Sequence, residues 1–286
     1  MRAKQSHHTL SVLCAILCAV LLLCRPGRAQ DGEAASQTYQ VGVVPQYEAR
    51  ELASIWQPLL RMIGEQAGVS LTLKGAPNIP AFEQALNQGE YDFAYMNPYH
   101  SLVAHQAQGY TPLLRDASRK LSGVLVVRAD STIQSVQDLD QARISFPAPN
   151  ALGASLLMRA ELARLHGIAF EPVYAQTHAS AYLNTVLRQT EAAGGVMSTL
   201  RRESAEVQDA LRILYQTREM EPHPFSAHPR VPEDLREKVT QAFIQVAATA
   251  DGKALIDRIP MFEPRPTDIE PDLGLSALRL EEFYVR

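Results

Sequence analysis

The sequence predicts an α/β fold of two lobes with a hinge between them. Three observations carry that expectation. Short apolar runs alternate with segments of helical spacing from Tyr39 to Ala250, the rhythm of sheets covered by helices. Two junctions, GEYDFAYMNPYH at residues 89–100 and ISFPAPNALGASLLMRAEL at residues 144–162, each run a strand straight into a helix start. Finally, the chain is expected to cross between lobes near Val127 and near Thr217, and two crossings make a hinge.

Taken in order, residues 31–38 are small and polar and form an unstructured lead-in, and a strand follows at 39–44. Leu52, Ile55, Trp56, Leu59, Leu60 and Ile63 repeat at helical spacing, and Gly68 is placed to end that helix. Pro58 lies inside the pattern and is expected to kink it; Trp56, on the stripe, is expected in the core. A strand at 69–73 and a short helix capped by Asn78, carrying Phe82 and Leu86, come next. In 89–100, four of twelve residues are aromatic, against 7% overall, and Tyr91, Phe93 and Tyr95 alternate with the period of a strand. Asn97-Pro98 then reads as an N-cap followed by proline at the first helical position, with the helix ending near Gly109. The apolar strand 123–127 closes the first part.

The second lobe is expected to span 128–217, leaving 38–127 and 218–286 to the first. It contains a short helix at 135–139, a strand at 143–146, a helix at 151–166, a strand at 170–174, a helix at 180–188, and strands near 195–197 and 211–215. The run EPHPFSAHPR at 221–230 marks a constrained connection, in which His223 and His228 are expected to serve the hinge. A helix from Glu233 to about Ala250 follows. Together the alternation indicates a parallel α/β architecture.

The first 29 residues have the organisation of an export signal: Arg2 and Lys4, an apolar stretch from Leu10 to Cys24, and small residues Gly27 and Ala29 before an expected cut after Ala29. All three cysteines, Cys14, Cys18 and Cys24, lie inside it. The mature chain therefore has no disulfide, no cysteine-ligated metal and no thiol nucleophile. Losing Arg2, Lys4, Arg25 and Arg28, with no acidic residue among the first 29, takes the net charge from −4 to −8. That balance argues against nucleic acid or an anionic membrane surface as partner.

A strand leading into a helix N-terminus presents free backbone N–H groups and the positive end of a helix dipole, which suits an oxyanion. Asn97, Tyr99 and His100 lie in the first of these turns, and Ser155 in the second. Catalysis has little to stand on. There is no GxSxG elbow around Ser155, no HExxH and no phosphate-cradling GxxxxGK[ST]. No enzyme activity, cofactor or metal is expected.

DFAYMNPYH, the apolar strand before Asp130-Ser131, the FPAPNALGASLL turn and the pair Thr177-His178 together resemble the phosphate/phosphite/phosphonate-binding proteins of bacterial ABC importers, in order and over roughly residues 39–259. The resemblance implies a type II periplasmic binding fold with an interlobe ligand cleft. It further implies a periplasmic, monomeric solute-binding protein serving an inner-membrane permease. A sensor partnered with a histidine kinase, or an exported hydrolase, are the alternatives. The family's ligand-binding aromatics fall on Tyr47 and Tyr95, its helix N-terminus on Asn150 to Ser155 including Gly153 and Ala154, and its histidine on His178 beside Thr177. Two departures stand out. Ala151-Leu152-Gly153 replaces the Ser-Thr-Ser run of phosphonate binders, and Gly195-Val196-Met197-Ser198-Thr199 lacks the acidic partner of an aminated ligand.

Overall fold

The computed structural model describes residues 37–285. The expected leader, its cysteines and most of the polar lead-in lie outside the described residues. The strands are β1 (Thr38–Val43), β2 (Ser70–Lys74), β3 (Phe93–Tyr95), β4 (Thr111–Asp116), β5 (Gly123–Arg128), β6 (Arg143–Phe146), β7 (Glu171–Tyr174), β8 (Ala192–Val196), β9 (Leu211–Gln216), β10 (Phe225–Ala227) and β11 (Pro264–Pro266). The helices are α1 (Ala49–Ala67), α2 (Ile79–Asn87), α3 (Pro98–Gln108), α4 (Leu157–Leu165), α5 (His178–Val186), α6 (Met197–Leu200), α7 (Ala205–Asp209), α8 (Glu233–Ala247), α9 (Ala250–Ile256) and α10 (Glu270–Leu273).

Two sheets result, in the orders β11-β4-β10-β3-β1-β2 and β7-β6-β8-β5-β9. This is the two-lobed α/β fold expected, but the sheets are mixed. β1 pairs in parallel with β2 and β3, whereas β10 runs antiparallel between β3 and β4. In the second sheet β6 is parallel to β7 and β8, while β5 is antiparallel to both β8 and β9. The departures arise where the chain changes sheet. β5, expected at the end of the first lobe, belongs to the second sheet, where its apolar side chains are buried from Gly123 to Val127. β10 lies in the run expected to be irregular.

α1 remains a single helix through Pro58 and buries Leu52, Ile55, Trp56, Leu59, Leu60 and Ile63, each worth about 1.5–3 kcal/mol of hydrophobic stabilisation. Gly68 ends it in the left-handed conformation, φ 74°, where glycine has no steric penalty. Asn78 caps α2 through Ala81 N at 2.9 Å.

The connections between the sheets are paired with each other. Leu121 N–H donates to Met220 O at 2.9 Å and Met220 N–H to Leu121 O at 2.8 Å. Gly123 N–H donates to Thr217 Oγ1 at 2.8 Å. The C-terminal segment packs Leu275, Leu280, Phe283 and Tyr284 into a cluster with Tyr99 and Leu102 of α3 and Leu156, Leu157 and Ala160 around α4.

Candidate functional site

Strands β1, β3, β6 and β8 end at a groove lined from both sheets, which holds two adjoining cavities. The larger, about 470 Å³, is lined by Gln46 and Tyr47 after β1, by Ser198, Arg201 and Arg202 around α6, and by Arg119, Lys120 and His223 at the connections, among others. The smaller, about 20 Å³, is bordered by Asn97, Gly153, Ala154, His178 and His223. Gln46, Leu121, Val196 and His223 border both.

At the second junction the helix starts with one π-turn, Leu152–Leu156, before continuing as α4. Ser155 is the first residue of this turn whose N–H reaches a carbonyl, Ala151 O at 2.8 Å. The N–H groups of Leu152, Gly153 and Ala154 are left over, as at any helix start. Strand glycines let the turn sit this close to the sheet. A Cβ on Gly123 would lie 1.9 Å from Gly153 O, and one on Gly194 would lie 2.1 Å from Ala154 O.

His178 opens α5 and is capped in place by Thr177, whose Oγ1 accepts from Ser180 N at 3.0 Å. The imidazole is buried, with Nδ1 3.2 Å from Thr199 Oγ1. Burial pushes its pKa down to about 4. His223 is buried just before β10, where burial first, and then His100, His178 and Arg115, push its pKa down to about 3. Both rings are therefore neutral at pH 7. Arg115 fixes the His223 backbone by donating to Pro222 O at 3.4 Å while paired with Asp272 at 3.0 Å.

The expected site residues divide into two groups. Tyr47, Asn97, Gly153, Ala154 and His178 border the cavities. Burial raises the Tyr47 pKa, which Arg202 and a hydrogen bond with Ser198 partly offset. Asn97 caps α3 by accepting from His100 N at 2.8 Å.

Tyr95, Tyr99, His100, Asn150, Ser155 and Thr177 lie behind the cavity walls. Tyr95 packs at the back of His223. Tyr99 joins the C-terminal cluster, its ring 5.6 Å from that of Tyr284. His100 Nε2 lies 2.7 Å from Glu83 Oε1. Asn150 donates to Glu83 at 3.1 Å and to Val285 O at 2.7 Å, and accepts from Val285 N at 2.9 Å. Ser155 Oγ accepts from Arg159 Nε at 3.2 Å.

Two further residues stand beside those the sequence singles out. His223, expected to serve the hinge, borders both cavities, and its position between two prolines is the sequence signal of a fixed conformation. Glu83, a buried carboxylate on α2, gave no signal beyond an ordinary charged position in a short helix.

The family model for the periplasmic substrate-binding proteins of phosphonate ABC transporters matches residues 41–270. No curated protein sequence matches the chain. Among solved structures, it is similar to a binding protein component of an ABC phosphonate transporter from Pseudomonas aeruginosa, with 15% identity, 87% of this chain and 88% of that one covered, and a TM-score of 0.78. It is equally similar to PhnD1 from Prochlorococcus marinus in complex with methylphosphonate, with 12% identity, 87% and 99% covered, and a TM-score of 0.78. A protein from Xanthomonas citri bound to ATP follows, with 16% identity, 87% and 100% covered, and a TM-score of 0.71. At these identities the structures speak for the fold, while the family model speaks for descent: this chain belongs to the phosphonate periplasmic substrate-binding proteins of ABC transporters.

Proposed function

We propose that the chain captures a small phosphorus oxyanion (phosphate, phosphite or a phosphonate) between its two lobes and passes it to an ABC permease in the inner membrane. It is exported by a leader cleaved after Ala29, works as a monomer, and performs no reaction on its cargo. The observation that carries this reading is the row of free N–H groups at Leu152, Gly153 and Ala154, bordering the same cavity as Asn97, His178 and His223.

The donors are uncharged, which favours reversible capture. A helix N-terminus offers about half a positive charge without the desolvation cost of a buried lysine. Thr199 Oγ1 donates to Val196 O at 2.9 Å and lies 3.2 Å from His178 Nδ1, which holds the neutral ring at the border of the cavity. Each hydrogen bond to a charged oxyanion contributes about 1.5–3 kcal/mol. Four or five of them, less ordering costs, reach about −8 kcal/mol, or micromolar affinity.

The small cavity, about 20 Å³, has room for one water. An oxyanion therefore seats at the wall it shares with the larger cavity, with the lobes parting to admit it. Isothermal titration calorimetry on the chain from Gln30 onward tests the reading, using phosphate, phosphite, methylphosphonate, 2-aminoethylphosphonate and sulfate. Saturable binding of one phosphorus oxyanion, with sulfate silent, is the expected result. Silence towards every phosphorus compound would overturn it.

A further inference from the structure

The larger cavity is out of proportion to the proposed cargo. A tetrahedral oxyanion displaces two or three waters, about 60–90 Å³ at roughly 30 Å³ each, whereas the cavity beside its seat encloses about 470 Å³. That is within the usual range of about 300–1,000 Å³ for sites that enclose whole organic ligands.

Its charge is also unusual for an acidic chain. Arg119, Lys120, Arg201, Arg202 and Arg258 line it, against the carboxylates of Asp116 and Asp257. Both carboxylates are already occupied: Asp116 accepts from Ser118 N at 3.0 Å and Glu263 N at 2.9 Å, and Asp257 holds Lys253 at 2.8 Å. Lys120 is paired with Glu221, and Arg202 with Glu51. Three guanidiniums remain without a carboxylate among the described residues. Arg258 donates to Ser54 Oγ at 2.8 Å, and Arg119 stacks on the Phe262 ring at 3.6 Å. Among the described residues Arg201 is held through its backbone O, which accepts from Gln208 Nε2 at 3.3 Å, with no hydrogen bond or ion pair from its guanidinium. A planar guanidinium with free donors matches carboxylate or phosphate oxygens two at a time.

We propose that the cargo is an organophosphorus compound with a second acidic group, a carboxylate or phosphate several bonds from its phosphorus head, and that this group is bound by Arg119 and Arg201 in the larger cavity. The inference rests on the head-group reading given under Proposed function. The residues bordering both cavities, Gln46, Leu121, Val196 and His223, place the head and the remainder of one molecule in continuous space. Arg119 follows β4 of the first sheet and Arg201 follows α6 beside the second. A ligand with two acidic ends thus contacts both sides of the groove, whereas a bare oxyanion leaves Arg119 and Arg201 unmatched.

The test compares 3-phosphonopropionate with propylphosphonate, which share a head and chain length and differ in the terminal acid. Calorimetry is run on the chain from Gln30 and on Arg119→Gln and Arg201→Gln. Both positions are exposed, and a thermal melt of each variant confirms folding. The expected result is that 3-phosphonopropionate binds at least about tenfold more tightly in the parent, and that the gap narrows in either variant. Equal affinity for the two probes in the parent, or a gap that survives both substitutions, would overturn the second-acid assignment while leaving the head-group reading in place. Binding of neither probe would overturn the second-acid assignment, and the head-group reading falls with it only if phosphate, phosphite and methylphosphonate are silent as well.

Discussion

Tyr95 lies nearly flat against His223, with ring centroids 5.4 Å apart and 27° between the planes. The Trp56 ring is 5.0 Å from Tyr95. The tyrosine thus joins the core helix α1 to a histidine that borders both cavities. Its hydroxyl is fully buried with no hydrogen-bond partner among the described residues, and burial holds its pKa well above the usual range.

This arrangement separates binding from support. Tyr95→Phe removes a hydroxyl that no described residue satisfies, so the unfolding free energy of the free protein, read by urea denaturation, should hold or rise by up to about 1–3 kcal/mol. Tyr95→Ala should cost about 3–5 kcal/mol through the cavity it leaves. His223→Ala should weaken phosphonate binding by at least about tenfold, or about 1.4 kcal/mol. A Tyr95→Phe protein that melts well below the parent would mean that the hydroxyl has a partner this account lacks.

The two neutral histidines make stability depend on pH. Their folded pKa values, about 4 for His178 and about 3 for His223, lie below the ordinary value of about 6.5. The unfolded chain takes up protons that the folded chain refuses. The contribution is therefore complete above about pH 6.5 and is lost as the pH falls from there through about 4 and then about 3. Urea unfolding should show a midpoint that drops across this window, and the paired substitution His178→Gln with His223→Gln should flatten the drop. Parallel pH profiles for parent and variant would contradict the buried neutral state.

Gly194 is required by close approach. An added Cβ would meet Ala154 O at 2.1 Å and the Phe146 ring at 2.6 Å, so Gly194→Ala must push the π-turn off the sheet. Overpacking of this kind costs about 1–3 kcal/mol. It also moves the Gly153 and Ala154 N–H groups, and phosphonate affinity should fall together with the melting temperature.

Asn150 should behave differently. Its side chain ties Glu83 of the first lobe to Val285 near the C-terminus and borders neither cavity. Asn150→Ala should lower stability by about 1–3 kcal/mol and change ligand affinity less than His178→Ala does. Calorimetry and denaturant unfolding of both variants make the comparison.

The helices with a broad apolar stripe or a clear cap were legible in the sequence, as the α1 stripe and the Asn97-Pro98 start of α3 illustrate. Mixed strand direction was not. The run 123–127 reads equally well as either kind of buried strand, and only its antiparallel pairing with β8 and β9 assigns it to the second sheet. β10 was hidden because three residues between prolines and histidines carry no measurable period. Helix starts are local signals, which is why the turn at residues 150–155 could be picked out, and the resemblance pointed to His178; both border the small cavity. Tyr99, His100 and Asn150 could not be sorted, since the partners that claim them, Tyr284, Glu83 and Val285, are distant in sequence. Arg119 and Arg201 are ordinary charged positions in the sequence, and only the fold brings them to one cavity.

The most direct test is a crystal structure of the chain from Gln30 with methylphosphonate. Phosphonate oxygens within hydrogen-bonding distance of Gly153 N and Ala154 N, with His178 or His223 as a further partner, are the predicted result. A phosphonate group seated on Arg201 or Arg119, away from those N–H groups, would contradict the account.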